Sequence, residues 1–296
     1  MSGTDDQVVA ELWADRLRWS RAAGRLKRRL DRARIIAFAA STIGALCTTA
    51  TASVLHSGGA ARTGVAAVGA ACLALAAFVG IHYLTPDAVR AWTRARATSE
   101  AVKRLIFEFR AGAQSSADAL RHGVTDIVTA AADLLPVVGT GDDTTPAAPP
   151  PSMTPETYVR QRVQGQIGDY YQPMAGRYTR SAARWRWFAM TLGVATALVA
   201  TATAVTPGTG PTALAPWVAV LTTATANVAA YQTARRYDYL AMTYLATAQR
   251  LRGLADDWAA GALSDWPLFV STCESVIATE NTAWMAKWTE GSVARF

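Results

Sequence analysis

Twenty consecutive residues without a charge, Ile35 to Val54, constrain this chain more than any other stretch. As a helix each residue rises about 1.5 Å, so the run reaches about 30 Å, the thickness of a bilayer's hydrocarbon core. A second run, Gly64 to Leu84, follows a loop, His56 to Thr63, so short that the two must fold back as an antiparallel hairpin. The pattern returns further on, and spans are expected at 35–54, 64–84, 187–205 and 213–231.

Composition supports this division. The chain is 51% hydrophobic but only 17% charged, against the usual quarter, and nearly all the charge lies outside the four runs. That segregation describes membrane spans joined to polar helices, not one globular core. Ala, Leu and Arg dominate, and strand-like alternation is hard to find. The expected class is all-α: an integral membrane protein with four transmembrane helices as two tandem hairpins on long cytosolic helical extensions.

A net charge of +7 and a pI near 9.6 would also suit nucleic acid, but the basic residues are placed at the span ends. Nine Lys or Arg lie from Arg16 to Arg34, six from Arg90 to Arg110, six from Arg160 to Arg186 and four from Arg235 to Arg252, while the two hairpin loops hold only Arg62. By the positive-inside rule the N terminus, the central region and the C terminus are cytoplasmic and both loops outside. No nucleic-acid partner is expected. Arg28, Arg29, Arg32 and Arg34, Arg184 and Arg186, and Arg235 and Arg236 flank the spans and are the candidate gating or anchoring groups.

Along the chain, apolar residues at helical spacing predict one helix from about Gln7 to Val54, and another from Val89 to Arg110, with Pro86 marking a kink or restart. Residues 1–112 form the first hairpin with its legs. Residues 113–135 are an amphipathic helix capped by Ser115 or Ser116, favoured as a bundle element over a membrane-surface one, which Pro136 ends. Residues 136–154 are a Pro, Gly and Thr-rich linker. Residues 155–296 start at a Thr154–Pro155–Glu156 cap and hold the second hairpin, its legs and a closing helix. On that helix Phe269, Cys273, Val276, Ile277, Trp284 and Trp288 fall on one side, and Glu274 and Glu280 towards another.

The halves align at an offset of 149 without a gap across the hairpin. Thr42 and Gly44 match Thr191 and Gly193, Ala66 matches Ala215, and Leu105, Ala111 and Gly112 match Leu254, Ala260 and Gly261. The lengths of spans and loops match as well, which indicates a parallel tandem duplication rather than the inverted repeat many transporters use.

No constellation for catalysis stands out. His56, His82 and His122 are scattered, Cys47, Cys72 and Cys273 read as packing residues, and phosphate loops, nucleophile elbows and metal spacings are absent. Neither an enzyme nor a cofactor is expected. The spans also lack the ionisable residues that proton relays and ion-coupled pumps carry, and have small, hydroxylated faces instead: Thr42, Thr49 and Ser53 in the first, Thr196 and Thr203 in the third, Thr223 and Asn227 in the fourth. Such faces either line a weakly polar pore in an oligomer or satisfy their own helices and let spans approach. For Asn227 both a pore and an interhelical contact stay open. The Trp residues of the polar segments, Trp13, Trp19, Trp92, Trp258, Trp266, Trp284 and Trp288, read as core.

Four segments together carry a resemblance. A basic, Trp-containing helix (ELWADRLRWSRAAGRLKRRLDRAR), a small-residue hairpin and a following helix (AWTRARATSEAVKRLIFEF) recur as GRYTRSAARWRWF, a hairpin and YDYLAMTYLATAQRLRGLADDW, then a closing CESVIATENTAWMAKW. The arrangement resembles the SLATT family, two-transmembrane effector domains associated with SMODS nucleotidyltransferases and SLOG sensors in prokaryotic conflict systems, here as two copies over Glu11 to Gly112 and Thr157 to Glu290. The resemblance implies an inner-membrane effector that permeabilises the bilayer as an oligomer when a partner senses infection or a nucleotide signal. This chain carries no nucleotidyltransferase or SLOG domain, so the expected partners are the lipid bilayer, further copies of itself, and a separate cytosolic sensor or nucleotide-signal protein. The competing expectation is a non-conducting scaffold that recruits a cytosolic partner through its helical legs. A small-solute carrier would need a broken helix at the midplane, which the sequence does not offer.

Overall fold

The computed structural model describes residues 3–53, 59–114, 116–139, 148–205 and 214–278, and among them every regular element is helical. Residues 54–58 with His56, Ser115, residues 140–147 of the linker, residues 206–213, and Glu280, Trp284 and Trp288 lie outside the described residues.

Helix α1 runs unbroken over Gly3–Ser53 and α2 over Ala60–Tyr83; α3 restarts at Pro86 and ends at Arg110. Proline suits that restart because a first-turn N–H has no helical acceptor anyway. Helix α4, Ala117–Thr129, is capped by the Ser116 hydroxyl, which accepts from the Ala119 N–H. The helix expected to reach Leu135 stops sooner. It breaks after Thr129 into a tight 3-10 turn, Ala132–Leu134, and a short α5, Leu135–Val138, with Pro136 inside its first turn rather than after its end. Arg25 donates to the carbonyls of Val137 and Val138 there, satisfying groups a helix end leaves open.

The second half opens at Thr154, whose hydroxyl accepts from the Thr157 N–H, followed by the short α6, Pro155–Thr157. The chain then winds as π-helix through Tyr158–Gln164 and Gln166–Tyr171 before α7, Gln172–Val205. Helix α8 spans Ala215–Arg235, α9 Tyr237–Ala259, and α10 residues 266–278. The break between α8 and α9 is Arg236, held in the left-handed region with φ 48°.

Two compact units form, and each draws segments from both sequence halves. The polar unit comprises Met1–Arg28, Pro86–Arg177 and Leu240–Phe296; the apolar unit comprises Arg29–Thr85 and Tyr178–Tyr239.

In the polar unit the offset of 149 relates two sets of side chains. Val9, Val102, Ile106, Phe109, Leu120 and Val124 form one apolar cluster. At an offset of 149 stand Tyr158, Leu251, Ala255, Trp258, Phe269 and Cys273. There the Trp258 ring stacks on Phe269 at 4.8 Å and Tyr158 meets Phe269 edge-on at 6.4 Å. Each fully buried side chain of this kind contributes about 1.5–3 kcal/mol. Trp266, at the start of α10, donates its indole N–H to the Ala111 carbonyl at 2.7 Å, tying α10 to the chain just past α3.

The apolar unit holds the spans. Three described stretches are long and apolar enough to cross a membrane: Gly3–Thr51, Ala60–Tyr83 and Pro155–Val205. Helix α8 is not among them, because Thr222, Thr223, Thr225, Asn227 and Gln232 dilute its apolar residues, so three of the four expected spans stand on length and apolarity. Their outward faces are bare, with Leu198 67% and Val205 74% exposed. Side chains so placed need lipid or another protein surface. Within the first hairpin the backbones approach closely: a Cβ on Gly44 would come 2.7 Å from Leu73 Cγ, and one on Gly69 2.9 Å from Cys47 Cβ.

Candidate functional site

Two groups of polar side chains stand out, one in each unit. In the apolar unit, the Asn227 amide nitrogen donates to Ser41 Oγ at 3.0 Å and approaches Thr42 Oγ1 at 3.4 Å. Both hydroxyls in turn donate to the Phe38 carbonyl, at 3.0 Å and 2.9 Å. The arrangement is consistent at every atom, since a hydroxyl bonded back to its own helix keeps lone pairs for the amide. An amide away from water needs such a partner, and here it finds one on a neighbouring helix.

The other hydroxylated residues bond back along their own helices. Thr196 donates to the Leu192 carbonyl at 2.8 Å, Thr203 to Val199 at 2.8 Å and Thr223 to Ala219 at 2.9 Å. Thr49 is buried. Ser53 ends α1, and its side chain lies outside the described residues. Thr223 is exposed, whereas Thr196 and Thr203 are half-buried, so the set does not converge on one surface of a single chain.

Below that hydrogen-bonded layer three rings meet: Trp185 with Tyr231 at 4.7 Å, Phe38 with Tyr231 at 5.8 Å and Phe38 with Trp185 at 6.5 Å. Arg235 donates to Asp31 at 2.8 Å and to the Tyr231 hydroxyl at 3.2 Å, and Arg34 reaches the same Asp31 oxygen at 3.5 Å. Asp31 thus joins α1 to α8, a role that its place in a strongly basic run concealed. Arg28, Arg29, Arg32, Arg184 and Arg186 are exposed. Of the candidate arginines the structure brings together Arg34 and Arg235.

In the polar unit a buried ion pair lies at the centre. Arg162 donates from Nε and Nη2 to the two oxygens of Glu274, each at 2.7 Å, and the Tyr158 hydroxyl adds a third bond at 3.0 Å. All three side chains are buried, and the Arg162 guanidinium lies 3.9 Å from the Phe107 ring centre. Burial alone would lower the Arg162 pKa, but Glu274 outweighs it and raises it. Burial and the same carboxylate raise the Tyr158 phenol well above its ordinary value and push the Cys273 thiol up to about 12. A second cluster adjoins: Glu100 accepts from Arg96 at 2.8 Å and has Lys103 at 3.9 Å. Burial would raise the Glu100 carboxyl, yet Lys103, Arg96 and Arg16 together hold it below the usual range, while burial brings the Lys103 ammonium down to about 8.

Sequence spacing placed Glu274 towards another side of α10 than Phe269 and Cys273. The structure buries all three, because Arg162 supplies a bidentate partner 112 residues away. The offset of 149 offered one signal: the counterpart of Arg162 is Trp13, which also lies against Phe107, at 6.4 Å. Trp19 and Trp92 are buried, and Trp13, Trp258 and Trp266 partly so. Among the described residues no group of three or more His, Cys, Asp or Glu could hold a metal ion.

Residues 158–284 match the family model described as SMODS and SLOG-associating 2TM effector domain 1 (SLATT_1). Residues 17–122 match a second model, described as a protein of unknown function (DUF4231). The SLATT resemblance is therefore supported over the second hairpin with its legs, while the first hairpin is similar to a family under another description. Neither a curated protein nor a solved structure matches the chain.

Proposed function

We propose that the chain is a membrane effector of a prokaryotic conflict system, acting as an oligomeric gated pore in the inner membrane, with four spans and both termini cytoplasmic. The observation that carries this reading is the likeness of residues 158–284 to a two-span effector domain, in a chain whose apolar helices leave large side chains bare. In this reading the two hairpins are two copies of one effector unit, and α8 is the fourth span, its polar residues sheltered by neighbours. The polar unit receives the trigger, a separate cytosolic sensor or a nucleotide signal, and no catalysis is involved. The pore forms between copies, because the hydroxyls within one chain are already bonded to their own helices.

A non-conducting scaffold is the second reading, and one observation favours it: Asn227 is satisfied by Ser41 and Thr42 inside one chain, as packing glue would be. Ion-loaded liposomes containing the purified chain separate the two. Release of ions on adding the trigger, or on altering the polar unit, supports the pore; vesicles that stay tight in every such preparation support the scaffold.

A further inference from the structure

The first hairpin carries a groove of about 450 Å³ between α1 and α2, at the basic end of the span. On α1 its wall is Arg29, Arg32 and Ile36, positions that share one helical face; on α2 it is Leu75, Phe78 and Tyr83. Buried Ala33 and Val79 form the floor. The Phe78 ring leans on His82 at 4.5 Å and on Tyr83 at 6.3 Å. Gly44, where the two helices touch, is 11 residues past Ala33 along α1, about 16 Å away, so the groove opens where bulky side chains replace the small ones.

Charge and polarity are sorted along it. Arg29 and Arg32 are exposed cations at one end and enter none of the ion pairs found among the described residues, while Ile36, Leu75 and Phe78 are apolar and about half exposed. An occupant must be an anion on a hydrocarbon tail, longer than a free phosphate and flexible enough to lie beside a span.

The second hairpin provides an internal comparison. At an offset of 149 the positions of Arg29, Arg32, Ile36, Phe78 and Tyr83 are taken by Tyr178, Ser181, Trp185, Asn227 and Gln232, without a positive charge. Gln232 donates to the Trp185 carbonyl at 3.1 Å, and the Trp185 ring packs on Tyr231. There the counterparts of Ile36 and Tyr83, Trp185 and Gln232, are held together by a hydrogen bond.

We propose that this groove binds an anionic phospholipid of the leaflet at the basic end of the hairpin, its phosphate on Arg29 and Arg32 and an acyl chain along Ile36, Leu75 and Phe78. The proposal rests on the reading that α1 and α2 cross the bilayer. Paired arginines offer a phosphate several donors in fixed geometry, and each cation near an anionic surface adds to the attraction. The neutral counterpart in the second hairpin makes the binding one-sided, one lipid for each chain.

The test uses the full chain in phosphatidylcholine vesicles carrying a photoactivatable acyl chain, either on phosphatidylglycerol or on phosphatidylcholine, with labelled peptides mapped by mass spectrometry. Phosphatidylglycerol is expected to label the segments around Ile36 and Phe78 on the order of tenfold more than phosphatidylcholine. The double variant Arg29→Ala/Arg32→Ala should bring that excess down to the phosphatidylcholine level. Arg29→Lys/Arg32→Lys should retain part of it, and Arg180→Ala all of it. Equal labelling by the two lipids, or an excess that survives the double Ala variant, overturns the proposal. So does loss of labelling to millimolar inorganic phosphate, which would assign the arginines to a free anion. Absence of labelling by both lipids would instead overturn the membrane reading, and the proposal with it.

Discussion

Gly112 and Gly261 stand 149 residues apart and close their helices in the same way. Their φ values are +71° and +73°, and each N–H returns to the carbonyl three residues back, Phe109 at 3.0 Å and Trp258 at 3.1 Å. The residue after each, Ala113 or Ala262, bonds to the carbonyl five back, Glu108 or Asp257. This is the Schellman closure, which a residue with a Cβ disfavours. Gly112→Ala and Gly261→Ala should each cost about 1–2 kcal/mol through the backbone alone, because nothing lies within 4 Å of either added Cβ. Gly253→Ala, inside α9 and equally open, should gain up to about 1 kcal/mol. Chemical unfolding of the three variants checks the opposite signs.

The buried pair in the polar unit should behave as a unit. Glu274→Gln leaves the Arg162 charge without a carboxylate, and should cost about 3–5 kcal/mol. Arg162→Met together with Glu274→Leu removes both charges and should recover most of that loss. Unfolding of the single and double variants measures the coupling; additive losses would contradict it.

Lys103 supplies a pH dependence of known sign. In the unfolded chain it titrates near 10.5, and in the folded chain burial and the Arg162 charge bring it to about 8 despite Glu100. Between these values the folded state binds fewer protons, so this group makes the fold more stable as pH rises from 8 to 10.5. Cys273 and Tyr158, raised by burial, act in the opposite direction, so the comparison must be between variants. Lys103→Met should exceed the parent by at most about 3 kcal/mol below pH 8, with the gap closing towards pH 10.5. A gap independent of pH would contradict this account.

Close packing of the first hairpin gives a further contrast. Gly69→Ala places a Cβ 2.9 Å from the Cys47 Cβ, an atom fixed by its backbone, and should cost about 1–3 kcal/mol of overpacking. Gly193→Ala, inside α7 with nothing within 4 Å, should not destabilise and should gain up to about 1 kcal/mol, as Gly253→Ala does. Resistance of the chain to denaturant in mild detergent distinguishes the two.

The legible parts of this chain were the local ones. Uncharged runs, Pro86, Ser116 and Thr154 marked helices and caps, because each acts through its own backbone. The offset of 149 was legible at Leu105, Ala111 and Gly112, since a left-handed closure restricts the residue at that position. Long-range pairing was not. Glu274 and Arg162, 112 residues apart, and Asp31 and Arg235, 204 apart, meet only because helices from both halves share one unit. Helical spacing set Glu274 apart from the apolar side of its helix without naming a partner; that partner, Arg162, lies on a segment wound as π-helix, where 3.6-residue spacing does not apply. Asn227 was open between two surfaces until Ser41 and Thr42 were placed beside it.

The central claim is conduction, and single-channel recording tests it most directly. The purified full chain, reconstituted into a planar bilayer with the trigger or with Glu274→Gln loosening the polar unit, should give discrete current steps of uniform size. A flat baseline under all these conditions, from protein whose insertion is verified by protease protection of the hairpin loops, would contradict the pore and leave the scaffold.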